Sequence, residues 1–131
     1  MRGTTRSSAR VDAIAAAGAE PFVGDPDRVG TLMEAIYGVT VVVWLLASAV
    51  GERAEDLHAG RLRMLCEKLV DTHVRGLVYE GAGTLGDDVL AGGAGIVRKA
   101  AETWSIPVQV VTEPCESWPA AGVAAVEALL A

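Results

Sequence analysis

The sequence predicts an α/β fold built on a parallel sheet, and three observations carry that prediction. Short apolar runs alternate with amphipathic segments from end to end of the 131 residues, with no long linker, repeat or low-complexity tract between them. The clearest run, Val39 to Leu46, is apolar at every position but Thr40 rather than alternating, as expected of a strand covered by helices on both faces. Hydrophobic residues make up 51% of the chain, yet it has only three Trp, two Tyr and one Phe, so the core is made of Ala, Val and Leu, which suit closely packed layers. A chain of this length and composition is expected to form one domain over residues 1–131 with a sizeable core, and disorder is not expected.

Each element follows from local pattern. After an opening fragment around Arg2 to Arg6, Ser8 to Ala17 reads as a helix closed by Gly18, and Glu20 to Gly24 as a short strand. Asp25-Pro26-Asp27 places an acid suited to capping before a proline at the first helical position, so a helix should follow, with Asp25 as its N-cap. Val29, Leu32, Met33 and Ile36 keep helical spacing, and Gly38 stops the pattern. The strand Val39 to Leu46 comes next, followed by a helix over roughly Glu55 to Val70 with the stripe Leu62, Leu65, Cys66 and Leu69. Gly76 to Glu80 is a second buried strand, and the loop Gly81 to Asp88 leads into a glycine-rich helix ending near Trp104. Pro107 to Thr112 is a third such strand, and Ala120 to Leu130 a last helix with Val123, Val126, Leu129 and Leu130 on its apolar side. Helix and strand thus alternate throughout, a topology of nucleotide-binding type.

Charge and cysteine usage exclude several classes. A net charge of -6 and a pI near 4.8, with no cluster of Lys and Arg, argue against nucleic acid as a partner. The longest apolar run, Val39 to Val50, is too short to cross a bilayer of about 30 Å, so no membrane association is expected. The first ten residues hold three arginines, but Asp12, Gly18 and Glu20 interrupt what would be the apolar part of a signal peptide, which points to the cytoplasm. Cys66 and Cys115 lack a CxxC or a His at ligand spacing and read as reduced thiols, Cys66 as a small buried hydrophobe. His58 and His73 have no second ligand near them in sequence and read as surface or capping residues, with no metal implied. Trp44, Trp104 and Trp118 read as packing residues, since no basic groove accompanies them.

Ligands of open parallel sheets bind beyond the carboxyl ends of the strands. Those ends hold Arg6, Asp25, Leu45 to Ala47, Glu80 to Thr84, and Thr112-Glu113. Gly81-Ala82-Gly83-Thr84-Leu85-Gly86 matches G-x-G-x-x-G directly after a strand, a pattern that elsewhere aims a helix N-terminus at a pyrophosphate. Here Asp87 and Asp88 stand at the helix start and would repel a phosphate. The segment reads instead as an active-site loop or a plain turn.

Taken together, RGTTRS, FVGD, GVTVVVWLLAS and RGLVYEGAGT resemble the NAD(P)-dependent epimerase/dehydratase family, the extended or atypical short-chain dehydrogenase/reductase fold, in order and spacing along essentially the whole chain. The resemblance implies a three-layer Rossmann-like sheet and a nicotinamide dinucleotide as cofactor. RGTTRS resembles the end of the family's second strand, so Thr5 and Arg6 would meet the ribose, and Arg6, a basic residue where an Asp would suggest NAD, favours the 2′-phosphate of NADP. FVGD resembles the end of the third strand, which makes Asp25 and Pro26 the residues flanking adenine. WLLAS resembles the HLAAS that runs beneath the nicotinamide-side ribose, and Leu45, Leu46 and Ala47 are its matching positions.

Departures from the family pattern are as informative. VYEGAGTLG resembles the family's VYxSSxSVYG, and Thr84 alone keeps a hydroxyl of the kind that polarises a substrate carbonyl, with Glu80 at the strand end before it. Thr84 and Glu80 are therefore the catalytic candidates. The YxxxK pair falls on Gly95-Ile96-Val97-Arg98-Lys99, where lysine is kept and tyrosine is not. Tyr37 sits at a helix end and Tyr79 inside a buried strand, so neither replaces it. Hydride transfer by the family's usual route is not expected, and enzymatic activity stays open.

The family's first strand, glycine-rich turn and helix precede the segment resembling RGTTRS, and this sequence opens on that segment. The expectation is a sheet lacking its usual first strand and glycine-rich turn, with dinucleotide bound only weakly. The strands on either side would stand apart or pair anew. An upstream start accounts for this if Met1 is a GTG codon, and the absence of Asn, the single Gln and nine Arg against two Lys fit GC-rich coding. The other explanation is a shortened, repurposed relative. Beside the dinucleotide-binding reading stands a non-enzymatic α/β interaction module that self-associates through an exposed sheet edge.

Overall fold

The computed structural model describes residues 1–113 and 115–131. The elements in chain order are β1 (Arg2–Thr5), α1 (Val11–Ala16), β2 (Glu20–Val23), α2 (Val29–Ile36), β3 (Val41–Trp44), α3 (Gly60–Leu69), β4 (Gly76–Glu80), α4 (Asp87–Trp104), β5 (Val108–Val111) and α5 (Trp118–Leu130). Short 3-10 turns at Ser8–Arg10, Ala54–His58 and Cys115–Ser117 precede α1, α3 and α5. The alternation expected from the sequence is therefore present, with all strand pairs parallel. The chain divides into two compact units, Met1–Tyr37 and Gly38–Ala131. The side chains of Cys115 and Trp118, expected as a reduced thiol and a packing residue, lie outside the described residues.

In the second unit the strand order is β3-β4-β5, with Val43 opposite Val78 and Gln109 beyond it, and Trp44 opposite Tyr79 and Val110. The central strand explains its continuous apolar sequence. Successive side chains point to opposite faces, and both faces are covered. On one, Val78 joins Val111 and Ala125, with Val41, Ala121, Val126 and Leu129 packed around them, which docks α5 on β4 and β5. On the other, Tyr79 lies against α4 and the 3-10 turn that precedes α3. Leu62, Leu65, Cys66 and Leu69 of α3 are all buried, as their spacing predicts. So are Leu90, Ala94, Val97 and Ala100 of α4. The Cys66 thiol is pushed up to about 11, chiefly by burial and then by the neighbouring Glu67 carboxylate, and stays neutral.

One helix differs from expectation. The segment predicted as continuous from Glu55 to Val70 is broken at Ala59, whose φ of -133° and ψ of -107° are not helical. Tertiary bonds account for the break. Trp44 Nε1 donates to the Leu57 carbonyl at 3.0 Å, and His58 lies in hydrogen-bonding contact with Tyr79, so the turn is drawn onto the sheet while α3 continues independently.

The first unit is a two-stranded parallel sheet in which Arg2 pairs with Glu20 and Thr5 with Val23. Gly18 and Gly38 have φ of +90° and +78°, where the sequence placed the helix stops. The start of α2 is later than predicted. Asp25 is not its N-cap: Asp25 Oδ1 accepts the Asp27 amide at 2.9 Å, closing a local turn, and Arg28 occupies the cap position without a side-chain bond. Thr31 Oγ1 accepts the Asp25 amide at 2.8 Å and fixes that turn against the helix. Arg2 binds Glu20, sits 5.1 Å from the centre of the Phe22 ring, and donates to the carbonyls of Ala35 and Tyr37, which lack helical partners at the end of α2.

Among the described residues β1 pairs with β2 alone and β3 with β4 alone. Among the described residues no helix is long and apolar enough to cross a membrane.

Candidate functional site

The segments following β3 and β4 form the best-defined candidate site, and they are laced together by backbone and side-chain bonds. Ala47 is fully buried and has both polar backbone groups occupied. Its amide donates to Glu80 Oε1 at 3.0 Å, and its carbonyl accepts the Leu85 amide at 3.1 Å. The Thr84 amide donates to Ser48 Oγ at 3.2 Å. Gly83 approaches so closely that a Cβ there would stand 2.5 Å from the Ala47 carbonyl oxygen, so the residue must be glycine for the two segments to meet. The Gly81 amide donates to Val111 O at 2.8 Å, which ties in the end of β5.

Of the predicted site residues, the structure thus brings Leu45, Leu46, Ala47, Glu80 and Thr84 to one end of one sheet. Leu45 is exposed, Leu46 half-buried and Ala47 inaccessible, so the accessible face consists of Leu45, Ser48, Gly83 and Thr84. Glu80 has its carboxylate engaged by a backbone amide and acts here as a clamp between the segments. Among the described residues the Thr84 hydroxyl has no protein partner and is exposed.

Thr5, Arg6, Asp25 and Pro26 belong to the first unit, where the Gly24 amide donates to Thr5 O at 2.9 Å and sets the ends of β1 and β2 side by side. Arg6 is exposed, and Thr5, Asp25 and Pro26 are half-buried. Thr5 Oγ1 accepts the Ser7 amide at 3.1 Å.

The G-x-G-x-x-G segment leads into α4, whose first turn holds Asp87 and Asp88, both exposed. These residues do not fit a pyrophosphate. Lys99, in the register of the family's lysine, is exposed on α4 beside a hollow of about 300 Å³ that also involves Arg63, Glu67 and Trp104, away from the strand ends. Among the described residues no group of three or more His, Cys, Asp or Glu could hold a metal ion.

Two residues of structural consequence escaped sequence reasoning. His58, read as a surface or capping residue, is 1% exposed, with Nδ1 2.5 Å from the Tyr79 hydroxyl and Nε2 2.8 Å from the Leu46 carbonyl oxygen. Ser48 supplies the bond that holds Thr84. Neither belongs to a motif; a polar residue flanked by buried Leu57, in a segment whose helical spacing fails at Ala59, was the available signal for His58.

Among solved structures, the chain is similar to the crystal structure of the Citrobacter sp. triphenylmethane reductase complexed with NADP(H). The two share 16% identity at a TM-score of 0.63, over 86% of this chain. That match covers 39% of the reductase chain. The likeness is one of fold: the chain has, in part, a Rossmann-like α/β arrangement. No family model and no curated protein matches the sequence.

Proposed function

We propose that this chain is a Rossmann-like dinucleotide-binding protein that takes NADP(H) or NAD(H) at its strand ends. The observation that carries the reading is the laced end of β3 and β4, at the position where parallel α/β sheets receive ligands, in a chain whose fold is similar to that of a reductase complexed with NADP(H). In this reading Leu45 and Leu46 line the nicotinamide-side ribose, and Ala47 holds the segment from beneath. The Thr84 hydroxyl faces a bound substrate, and Glu80 sets the spacing of the two segments. By the resemblance to epimerases and dehydratases, Asp25 and Pro26 serve the adenine, and Thr5 with Arg6 the adjacent ribose. Arg6 then distinguishes NADP from NAD by its charge.

Binding by these 131 residues is weak, because the G-x-G-x-x-G segment leads into Asp87 and Asp88 rather than a phosphate-binding helix start. Reduction by the tyrosine and lysine route does not operate. Gly95 occupies the tyrosine position, and Tyr79 is buried with its hydroxyl pushed up to about 12, by burial first and then by Glu80.

Titration with NADPH followed by nucleotide fluorescence tests the reading. Saturation is expected only toward millimolar nucleotide, and Arg6→Ala is expected to weaken NADPH about tenfold while leaving NADH unchanged. No binding at millimolar NADPH refutes the reading, and micromolar affinity places the site elsewhere than these strand ends.

A second reading has its own observation. Among the described residues β3 pairs with β4 alone, and Val43 and Leu45 are 37% and 50% exposed, which suits self-association as a non-enzymatic module. Light scattering after size exclusion separates the two: a monomer that binds nucleotide rejects self-association.

A further inference from the structure

We infer that His58 and Tyr79 are a positioning pair that fixes the backbone of Leu46 to Ser48, and with it the accessible face of the strand-end site. The functional weight of the pair rests on the dinucleotide-binding reading above; its geometry does not.

A carbonyl oxygen only accepts, so the 2.8 Å contact between His58 Nε2 and Leu46 O requires the proton on Nε2. In the neutral ring Nδ1 is then an acceptor, and the group 2.5 Å from it is the Tyr79 hydroxyl, which donates. The bonds run in one direction: Tyr79 O–H to Nδ1, and Nε2–H to the Leu46 carbonyl. The neutral, buried phenol keeps its proton through the ordinary pH range and remains a donor. The two rings meet edge to face at 74°, with centroids 5.6 Å apart. Gly93 closes the arrangement from α4, where an added Cβ would stand 1.9 Å from the Tyr79 hydroxyl oxygen.

A structural filler would not need these groups. Among the described residues His58 is the only buried side chain of the polar and charged class, in a core made mostly of Leu, Val and Ala with Trp44, Cys66, Tyr79 and Ile106. Burying an imidazole costs free energy unless each nitrogen is bonded, and here both are, one of them to the segment that forms the site. The Leu46 carbonyl accepts from His58 at 2.8 Å and, within its own turn, from the Ala49 amide at 3.2 Å, while the next residue, Ala47, is held by Glu80 and Leu85. His58 is the bond that ties this turn to the core, and together these bonds set the two peptide planes between Leu46 and Ser48, which in turn holds Thr84. Trp44, beside Tyr79 in the sheet, anchors the same 3-10 turn through Leu57, so the turn cannot drift and carry His58 away.

The test uses the whole 131-residue chain labelled with ¹⁵N. In the wild type, long-range ¹⁵N–¹H correlations of His58 are expected to show a protonated Nε2 and an unprotonated Nδ1; the opposite tautomer overturns the inference, whatever any variant does. Tyr79→Phe removes one oxygen and keeps the ring against Gly93. It is expected to relax the tautomer preference and to raise amide exchange at Ala47 and Leu85 about tenfold, with Val78 and Val111 unchanged. Unchanged exchange at Ala47 and Leu85 in a folded Tyr79→Phe protein also overturns it. Millimolar NADPH separates the two layers. If the wild type shows no shifts at Leu46 and Ala47 while Tyr79→Phe frees the segment, the positioning pair stands and the binding reading falls. If the wild type binds and Tyr79→Phe alters neither exchange nor affinity, the pair falls and the binding reading stands.

Discussion

The two units of the chain are held by different kinds of force. In Gly38–Ala131 the central strand is buried on both faces, and α3 and α4 each bury a continuous apolar stripe, so stability comes from area removed from water. In Met1–Tyr37 the strands are exposed or half-buried at every position, and Leu32 and Ala35 are the buried apolar side chains. Order there depends on directed polar contacts: Arg2 with Glu20 and the last carbonyls of α2, and Asp25 with Thr31. Two parallel strands with short helices have too little apolar surface to do otherwise. The comparison teaches that one repeating strand-helix pattern can be stabilised apolarly where three strands share a core and by charge where two do not.

Four experiments test that contrast. Leu62→Ala, at a fully buried position of α3, is expected to cost about 3–5 kcal/mol in urea unfolding. A cost no larger than that of Leu32→Ala would erase the difference between the units. Gly93→Ala forces Tyr79 or α4 to move and is expected to cost about 2–3 kcal/mol, read in the same assay.

Alkaline pH probes the second unit alone. The folded Cys66 thiol is raised from 9.0 to about 11, so the stability its neutral form contributes is complete below about pH 9 and lost as pH rises to about 11. Tyr79, raised from 10.0 to about 12, extends the decline to about pH 12. A loss on the order of 2 kcal/mol is expected from the thiol, and Cys66→Ala should remove the first part of the decline. A flat profile between pH 9 and 11 contradicts the burial argument.

The smallest effect belongs to the first unit. Arg2→Ala is expected to cost about 1 kcal/mol, because its ion pair with Glu20 and its bond to the Tyr37 carbonyl are exposed and only the bond to the Ala35 carbonyl is partly sheltered. Amide exchange confined to residues 1–37 is the readout, and part of the effect should disappear in high salt.

Much of the architecture is legible in the residues, and the reason is periodicity. Gly76 to Tyr79 is too continuously apolar for a solvent-facing strand and is buried throughout, and Leu62, Leu65, Cys66 and Leu69 repeat at the helical period; Val39 to Leu46, expected to be covered on both faces, forms a strand only over Val41–Trp44, with Val43 and Leu45 exposed because β3 lies at the end of its sheet. The candidate site was legible only as strand ends. Glu80 and Thr84 were named for chemistry, yet the Glu80 carboxylate is occupied by the Ala47 amide, a contact 33 positions away that no local pattern encodes. Asp25 shows the same limit at short range. Its position before a proline suits an N-cap, but its carboxylate closes a turn on Asp27 first, and α2 begins at Val29.

Spacing along the chain dictates the alternation of elements, the parallel α/β class and the buried stripe of α3, because each depends on how much apolar surface a given period must hide; on α5 Val126 and Leu129 pack on the sheet while Val123 and Leu130, expected beside them, are exposed. Tertiary structure alone decided which strand pairs with which, where the helix after β3 breaks, and that His58 belongs to the core. Those outcomes turn on single donors meeting single acceptors across distant segments, and a buried imidazole is stable or costly according to whether Tyr79 and the Leu46 carbonyl are there to meet it.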